Sequence, residues 1–423
     1  MRSRRGPSIM IEKNVPAILA DLSAKLDEVM AASELVAGLR LLTRTDSRLK
    51  AGRPLSDGER LRLERQGNIC PDWSRVRVES AESDAGLETI RNNRFEGDVL
   101  IAGFHGDWKG PDGTSWTAGM AGCRIIDAVI GNACLYQIAR LERQVIEDGA
   151  VLVGIGEIDC PDQTLFSMGC AIHPGTESGA RSVWIWDSLT LDDCMAALSL
   201  TSEAQQEFSR KIDLVLAPLK SRFGYVGQGA AVLHTRQVHG SWIGPGTLIK
   251  GASLIRGSAF LSLPGEPCLA AEDAWVEHSL LQPGARVESS GKVSGSVLLE
   301  HSSVALGGMV FQSVVGPNTQ IHKGELSASL VGPFVGFHHQ SLLISALWPE
   351  GRGNIAYGAN VGSNHTGKKP DQEIRPGEGN FFGLGCSIKF PANYEDSPYS
   401  LIATGVSTLP QRLAFPFSLI TQP

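Results

Sequence analysis

The sequence predicts a mainly β protein, a parallel β-helix of short repeated coils with helices before it and a helical insert within it. Three observations carry this. A short phrase returns six times, as Ile130-Gly-Asn-Ala, Ile146-Glu-Asp-Gly-Ala, Val226-Gly-Gln-Gly-Ala, Ile243-Gly-Pro-Gly-Thr, Leu281-Gln-Pro-Gly-Ala and Val315-Gly-Pro-Asn-Thr. The starts at 226, 243, 281 and 315 lie 17, 38 and 34 residues apart, close to one, two and two coils, each near the roughly 18 residues of three hexapeptides. Of 423 residues 48 are Gly and only 6% are aromatic, which suits a narrow prism that turns every few residues. The aliphatic residue fills the prism. The Gly or Asn after it takes the corner, where φ is positive or bulk is excluded.

Residues 1–93 read as an N-terminal helical segment and linker. Within it, 10–45 predicts a helix, because Ile18, Leu19, Leu22, Leu26, Val29 and Met30 recur at intervals of three and four. Gly52 and Pro54 end that stretch. Ser56 and Glu59 form a capping box that opens a second helix through Arg65, stopped by Gly67. The first coils span 94–160, with strand-like runs at 99–102 and 123–126. Between them, His105 to Gly113 is a polar, Gly-rich excursion expected to be a loop. Residues 161–224 form the insert, irregular to 187 and helical from Leu189 to about Ser221, with a break at Thr201. Coils resume at Tyr225 and run to about Gly336, and the β-helix domain extends to 423 through a more polar section from His338 to Val406 and a C-terminal tail.

The formal net charge is −7 and no basic run follows the first five residues, which argues against nucleic-acid binding. The eight cysteines are scattered with no Cys-x-x-Cys pair, so neither a zinc motif nor a disulfide framework is indicated. No apolar core follows Arg2, Arg4 and Arg5, and no stretch of 18 apolar residues occurs. The expectation is a cytoplasmic protein without a membrane span.

Chemistry concentrates in residues 332–406. His338 and His339 are adjacent, so on a strand one of them must face outward. A neutral imidazole is a natural base for a hydroxyl or amine. Asn364 offers donors and an acceptor, and Lys368 and Lys369 offer positive charge for a phosphate. Asn364 and the lysines have plainer readings, Asn364 as a left-handed corner and the lysines as a solvated loop. A metal site on His338, His339 and His365 is not expected, because the His spacing of β-helix carbonic anhydrases is absent.

The order of these residues is His, then Asn354-Ile-x-x-Gly358, Asn364-x-x-Gly367, Phe381-x-Gly383, Pro391 and Ile402-Ala-x-Gly405. It resembles the acyltransferase domain of bacterial glucosamine-1-phosphate acetyltransferases, the bifunctional enzymes that also uridylylate N-acetylglucosamine-1-phosphate. The likeness covers the last quarter of the chain. It implies a left-handed β-helix that forms a homotrimer, with sites between subunits. It implies acetyl-CoA or another acyl-CoA as donor, and an amino- or hydroxy-sugar as acceptor, possibly a sugar phosphate or nucleotide sugar. His339 would be the catalytic base, with His338 as second choice. Asn354 falls at the family interval, Asn364 would contact the sugar, His365 replaces an aromatic residue, and Lys368, with Lys369 beside it, falls on the phosphate side. The family's Arg/Lys pair has no clear counterpart; Arg352 or Lys323 are the substitutes at hand. The Gly-rich nucleotide loop of the uridylyltransferase half is absent and the N-terminal region is too short for that domain, so nucleotidyl transfer is not expected. The whole chain also resembles a family of larger bacterial β-helix proteins with a helical insert and a transferase-like label. The alternative expectation is a non-catalytic sugar-binding or scaffold protein, or a cofactor-free carbohydrate-active enzyme.

Overall fold

The coils wind as a parallel β-solenoid of three faces. The computed structural model describes residues 14–79, 86–110, 112–177, 179, 181–362, 373–409 and 411–422. Within the coils each strand pairs in parallel with the strands one turn before and after it. Face 1 runs from Gln144–Ile146 through Gly224–Val226, Trp242–Ile243 and Ala259–Phe260 to Leu347–Trp348. Face 2 takes the start of Val151–Asp159 and continues through Ala231–Leu233 and Leu248–Lys250 to Leu419–Ile420. Face 3 takes the end of Val151–Asp159 and continues through Gln237–His239 and Leu254–Arg256 to Ser407–Thr408. On face 2, Arg286 pairs with Ser303 and Ser303 with Gln320, so the turn here is 17 residues.

That register explains the recurrent phrase. Its aliphatic residues, Ile146, Val226, Ile243, Leu281 and Val315, end face 1 strands and are buried in the prism. The residue three positions on is left-handed each time: Gly149, Gly229, Gly246, Gly284 and Asn318 have φ of 73°, 65°, 69°, 72° and 56°. Only Gly or Asn holds that conformation cheaply. Apolar residues stack inside each face, as Val287, Val304, Ile321, Phe337, Ile355, Phe382 and Ile402 do on face 2.

A second column locks the corner before face 1. Ser241, Ser258, Ser279, Ser296, Ser313 and Ser329 are all buried. Each hydroxyl donates to the carbonyl two residues before it, at 2.7–2.9 Å. Each oxygen also accepts the backbone N–H of its counterpart one turn later, ending with Ala346 N–H on Ser329 Oγ at 3.0 Å. The hydroxyls therefore tie consecutive turns together where the chain bends and the strand ladder lapses.

The three faces have different outer coverings. Face 1 is buried beneath α1 (Val15–Ala32), α2 (Glu34–Leu42) and the insert helices, whose apolar sides meet Val129, Val145, Trp242, Leu280, Val297 and Leu330. Face 3 carries an outward ladder of ion pairs. Among the described residues, face 2 is covered in its early turns, where Trp108 and Trp116 lie over Cys134, Val151, Ala231 and Leu233.

Several elements depart from the sequence expectation. The helix expected over 10–45 is broken at Ser33, which is extended and accepts the Val36 N–H on its Oγ at 3.0 Å. A four-residue α3 (Thr45–Arg48) follows α2. The side chain that starts α2 ends α1, and an apolar stripe alone does not register such a break. The capping box is present, opening α4 (Asp57–Arg65) with Glu59 N–H on Ser56 Oγ. The coils begin before Arg94. Val76–Val78 already pairs in parallel with 99–101, and Ile69 bridges to Arg94; these first strands are too short and too polar to show a period. The excursion after His105 is an antiparallel hairpin, Asp107–Lys109 with Ser115–Thr117. The insert carries α5 (Leu191–Leu198) and α6 (Ser202–Leu216) on either side of Thr201, which caps α6.

Two stability outcomes follow. Ser296→Ala strands the Ser313 N–H and removes one of two donors from the Ser294 carbonyl, which keeps the Gln312 N–H. It should cost about 1–3 kcal/mol, read as a lower urea midpoint at unchanged slope. Gly38 lies inside α2 against the Trp242 indole, and a Cβ there would fall 2.0 Å from Cη2. Gly38→Ala should therefore destabilise by about 1–3 kcal/mol through overpacking, although alanine is the better helix former by about 1 kcal/mol.

Candidate functional site

The later turns of face 2 present polar side chains to solvent in two outward columns. One column runs Arg286, Ser303, Gln320, Gly336, Asn354, Phe381. The other runs Glu288, Ala305, His322, His338, Ala356, since Ala305 is in register with His322 and the neighbouring pairs extend by one residue. Neighbouring turns are about 4.8 Å apart, so the polar stretch from Ser303 to Asn354 is about 14 Å long.

Within it, Gly336 is a gap. A Cβ at this position would stand 3.1 Å from Asn354 Oδ1 and 3.3 Å from His338 Nε2. The glycine thus leaves a shallow groove with a carboxamide on one side and an imidazole on the other. One turn back, His322 is half-buried and its Nε2 lies 3.1 Å from Ser303 Oγ. Burial lowers the His322 pKa below the ordinary value, and His338 adds to this; the Glu288 carboxylate opposes both. His322 is therefore a neutral imidazole at neutral pH.

The strand ends at Phe337, so strand alternation does not govern the adjacent histidines: both are exposed. His338 stands beside the groove. His339 takes the corner, with φ 23°, and its ring lies 6.4 Å from that of Tyr357. Corner histidines recur in this chain. His234, His278 and His301 are also left-handed, and each ring packs over a glycine, Gly154, Gly257 and Gly284 respectively. Asn354 reaches the groove as well. Asn364, His365, Lys368 and Lys369 lie outside the described residues. Of the two alternative cations, Arg352 is held by Glu378 at 3.1 Å. Lys323 is exposed, precedes His339 by one turn in the corner column, and makes no ion pair among the described residues.

Sequence reading missed two groupings. Ser303 with His322 is the first. The second is on face 3, where ligand atoms of Glu157, Asp159 and His239 lie within 4.8 Å of one another. His239 Nδ1 is 2.5 Å from Asp159 Oδ1, and Arg140 Nη1 is 3.7 Å from Asp159 Oδ2. The guanidinium already supplies the positive charge that a metal would bring, and the ladder continues with Arg256 on Glu277. This grouping is an ion-pair network. A cleft of about 520 Å³ between α1 and face 1, lined by Val29, Leu35, Trp242 and Leu261, contains none of the expected site residues.

The electrostatics of the groove can be measured. In an NMR titration the His322 midpoint should lie below about 6.5. Glu288→Gln should lower it further, by removing the one group that favours the cation, and His338→Ala should raise it.

Comparison with known proteins gives a family and one curated relative. An uncharacterized protein of Treponema pallidum (strain Nichols) is 26% identical over 386 residues, covering 88% of this chain and 53% of that protein. The chain thus spans about half the length of this relative. No helix among the described residues is long and apolar enough to cross a membrane. The family match extends over residues 52–370, from the capping-box helix through the groove of Gly336, His338 and Asn354, and by it the chain belongs to the family described as Domain of unknown function (DUF4954).

Proposed function

We propose that this protein transfers an acyl group from an acyl-CoA thioester to an amino or hydroxyl group of a sugar, with the face 2 groove as its site. The observation that supports this most is the convergence of His338 and Asn354 on the space left by Gly336, with a second, neutral imidazole one turn away. Asn354 can both donate to and accept from an acceptor hydroxyl. His338 takes the proton as the acceptor oxygen or nitrogen bonds to the thioester carbonyl carbon. The carbon–sulfur bond breaks, and the proton passes to the departing thiolate. His338 suits the base better than His339, whose position matches the structural corner histidines.

The donor's fit rests on Lys323, an exposed ammonium one turn from His339 with no carboxylate partner among the described residues. It would face a diphosphate. The open groove is consistent with a left-handed trimer in which a neighbouring subunit forms the second wall. Such a wall would exclude water from the thioester.

The test combines binding and turnover. Acetyl-CoA and free CoA should raise the melting temperature by mass action, and thiol release should depend on an added amino- or hydroxy-sugar. His338→Ala should keep the CoA shift and lose about 10²–10⁴-fold in kcat. Gly336→Val, which fills the groove, should lose acceptor dependence. No shift with CoA but a shift with a sugar ligand would replace this reading with a sugar-binding solenoid.

A further inference from the structure

Two arrangements of serine contrast on this solenoid. Six serines are buried at the corner before face 1 and spend their hydroxyl proton on a backbone carbonyl. Ser303 is different. It faces outward on face 2, half-buried, and its hydroxyl meets the ring nitrogen of His322 at 3.1 Å. A serine beside a neutral imidazole that can accept its proton is the minimal arrangement of an activated nucleophile.

Among the described residues one other serine meets a histidine ring, and it fails the same criterion. Ser182 Oγ is 3.3 Å from His173 Nδ1, but that nitrogen is also 3.1 Å from the Arg181 carbonyl. A carbonyl oxygen only accepts, so His173 Nδ1 carries the proton and cannot take one from Ser182. Among the described residues no carbonyl competes for His322 Nε2.

The column above His322 adds a third group. Ala305, the next residue back, is small, and beyond it stands Glu288. Its carboxylate acts on His322 across that gap in the sense that favours the protonated ring. The order carboxylate, imidazole, hydroxyl has the roles of a nucleophilic triad, although Glu288 acts through space and is also held by Arg286 at 3.3 Å. The groove of Gly336 begins one turn beyond His322 and two turns from Ser303, while Asn354 stands three turns, about 14 Å, from Ser303, so an acceptor held at Asn354 would reach an acyl group on Ser303 by lying along the groove past Gln320.

We propose that Ser303 is a catalytic nucleophile that carries the acyl group as an ester between donor and acceptor, with His322 as its base. This rests on the acyl-transfer reading of the same face. In the first half-reaction, Ser303 Oγ bonds to the carbonyl carbon of an acyl thioester or other activated ester. Its proton moves to His322 Nε2, the bond to the leaving group breaks, and the leaving group departs with that proton. In the second, the acceptor oxygen or nitrogen attacks the serine ester and gives its proton to an imidazole. Ser303 Oγ leaves and recovers a proton. No oxidant or further reactant is needed.

The test is covalent labelling of the full chain with p-nitrophenyl acetate and with a fluorophosphonate, followed by intact mass and peptide mapping. These probes need neither CoA nor a sugar, so the result is independent of donor and acceptor identity. The expected result is an adduct on the peptide containing residue 303, with burst release of p-nitrophenol. Ser303→Ala should abolish it. His322→Gln should slow it by about 10²–10⁴-fold, with an unchanged melting curve to show that the fold is kept. Ser303→Cys should restore ester turnover, and its rate should follow a pH profile that shifts in Glu288→Gln. An adduct in a protein that binds no CoA would support the nucleophile and remove the CoA donor. Sugar acylation that persists in Ser303→Ala, with no adduct in the parent chain, would overturn the acyl-serine and leave direct transfer standing.

Discussion

Every outward feature of this protein depends on the length of one turn. Parallel pairing requires residue i of one turn to stand beside its counterpart in the next, and side chains alternate between core and solvent. A slip of one residue would send the apolar column into water and the polar columns into the prism. Three devices hold the register: aliphatic residues that fit only inside, left-handed corners filled by Gly or Asn, and the buried serine column. The serines matter most where the chain bends and strand pairing is interrupted. Each supplies one donor and one acceptor at a point where a backbone group would otherwise be buried unpaired.

Once the turn is fixed, function becomes a question of which face is left uncovered. The N-terminal helices and the insert bury face 1, and the tryptophan hairpin closes the early turns of face 2. Face 3 neutralises itself, as in Glu96, whose pKa is lowered by Arg124 and Arg94. Among the described residues, the later turns of face 2 combine exposure with imidazole, hydroxyl and carboxamide groups that are not all consumed by structure. The ladder supplies their spacing, so groups from four different turns are positioned by backbone pairing alone, and the side chains need few contacts of their own.

What was legible in the sequence follows from this. Ile243, Gly246 and their counterparts announce the solenoid because each turn repeats them. The insert was visible as a loss of that repeat, and Ser56 with Glu59 marked a helix start through local bonds. The break at Ser33 was hidden because the apolar stripe continues across it. The first strands, near Val76, were hidden because two or three residues cannot show a period. Alternation failed for His338 and His339, since it applies to a strand and the strand ends at Phe337. Ser303 and His322 are 19 residues apart, one turn plus two, a separation that means nothing until the length of this particular turn is known. His338 and Asn354 could be nominated from likeness and residue chemistry, but their convergence on Gly336 is a property of the register.

The insert has a consequence for how this chain can change. Solenoids ordinarily gain or lose whole turns with little penalty, because each turn touches only its neighbours. Here the insert is pinned to the coil at widely spaced points: Ser167 to the Gly257 carbonyl, Gln282 to the Asp187 and Leu189 carbonyls, and Gly175 to the Ala328 carbonyl. Removing one turn between the first and last of these would shift them by about 4.8 Å, more than a hydrogen bond tolerates. The insert therefore works as a gauge that counts turns. Duplication or loss of a repeat, the usual route by which such proteins drift in length, is restrained between Gly257 and Glu373, which Arg181 of the insert holds, while the last turns lie beyond that gauge.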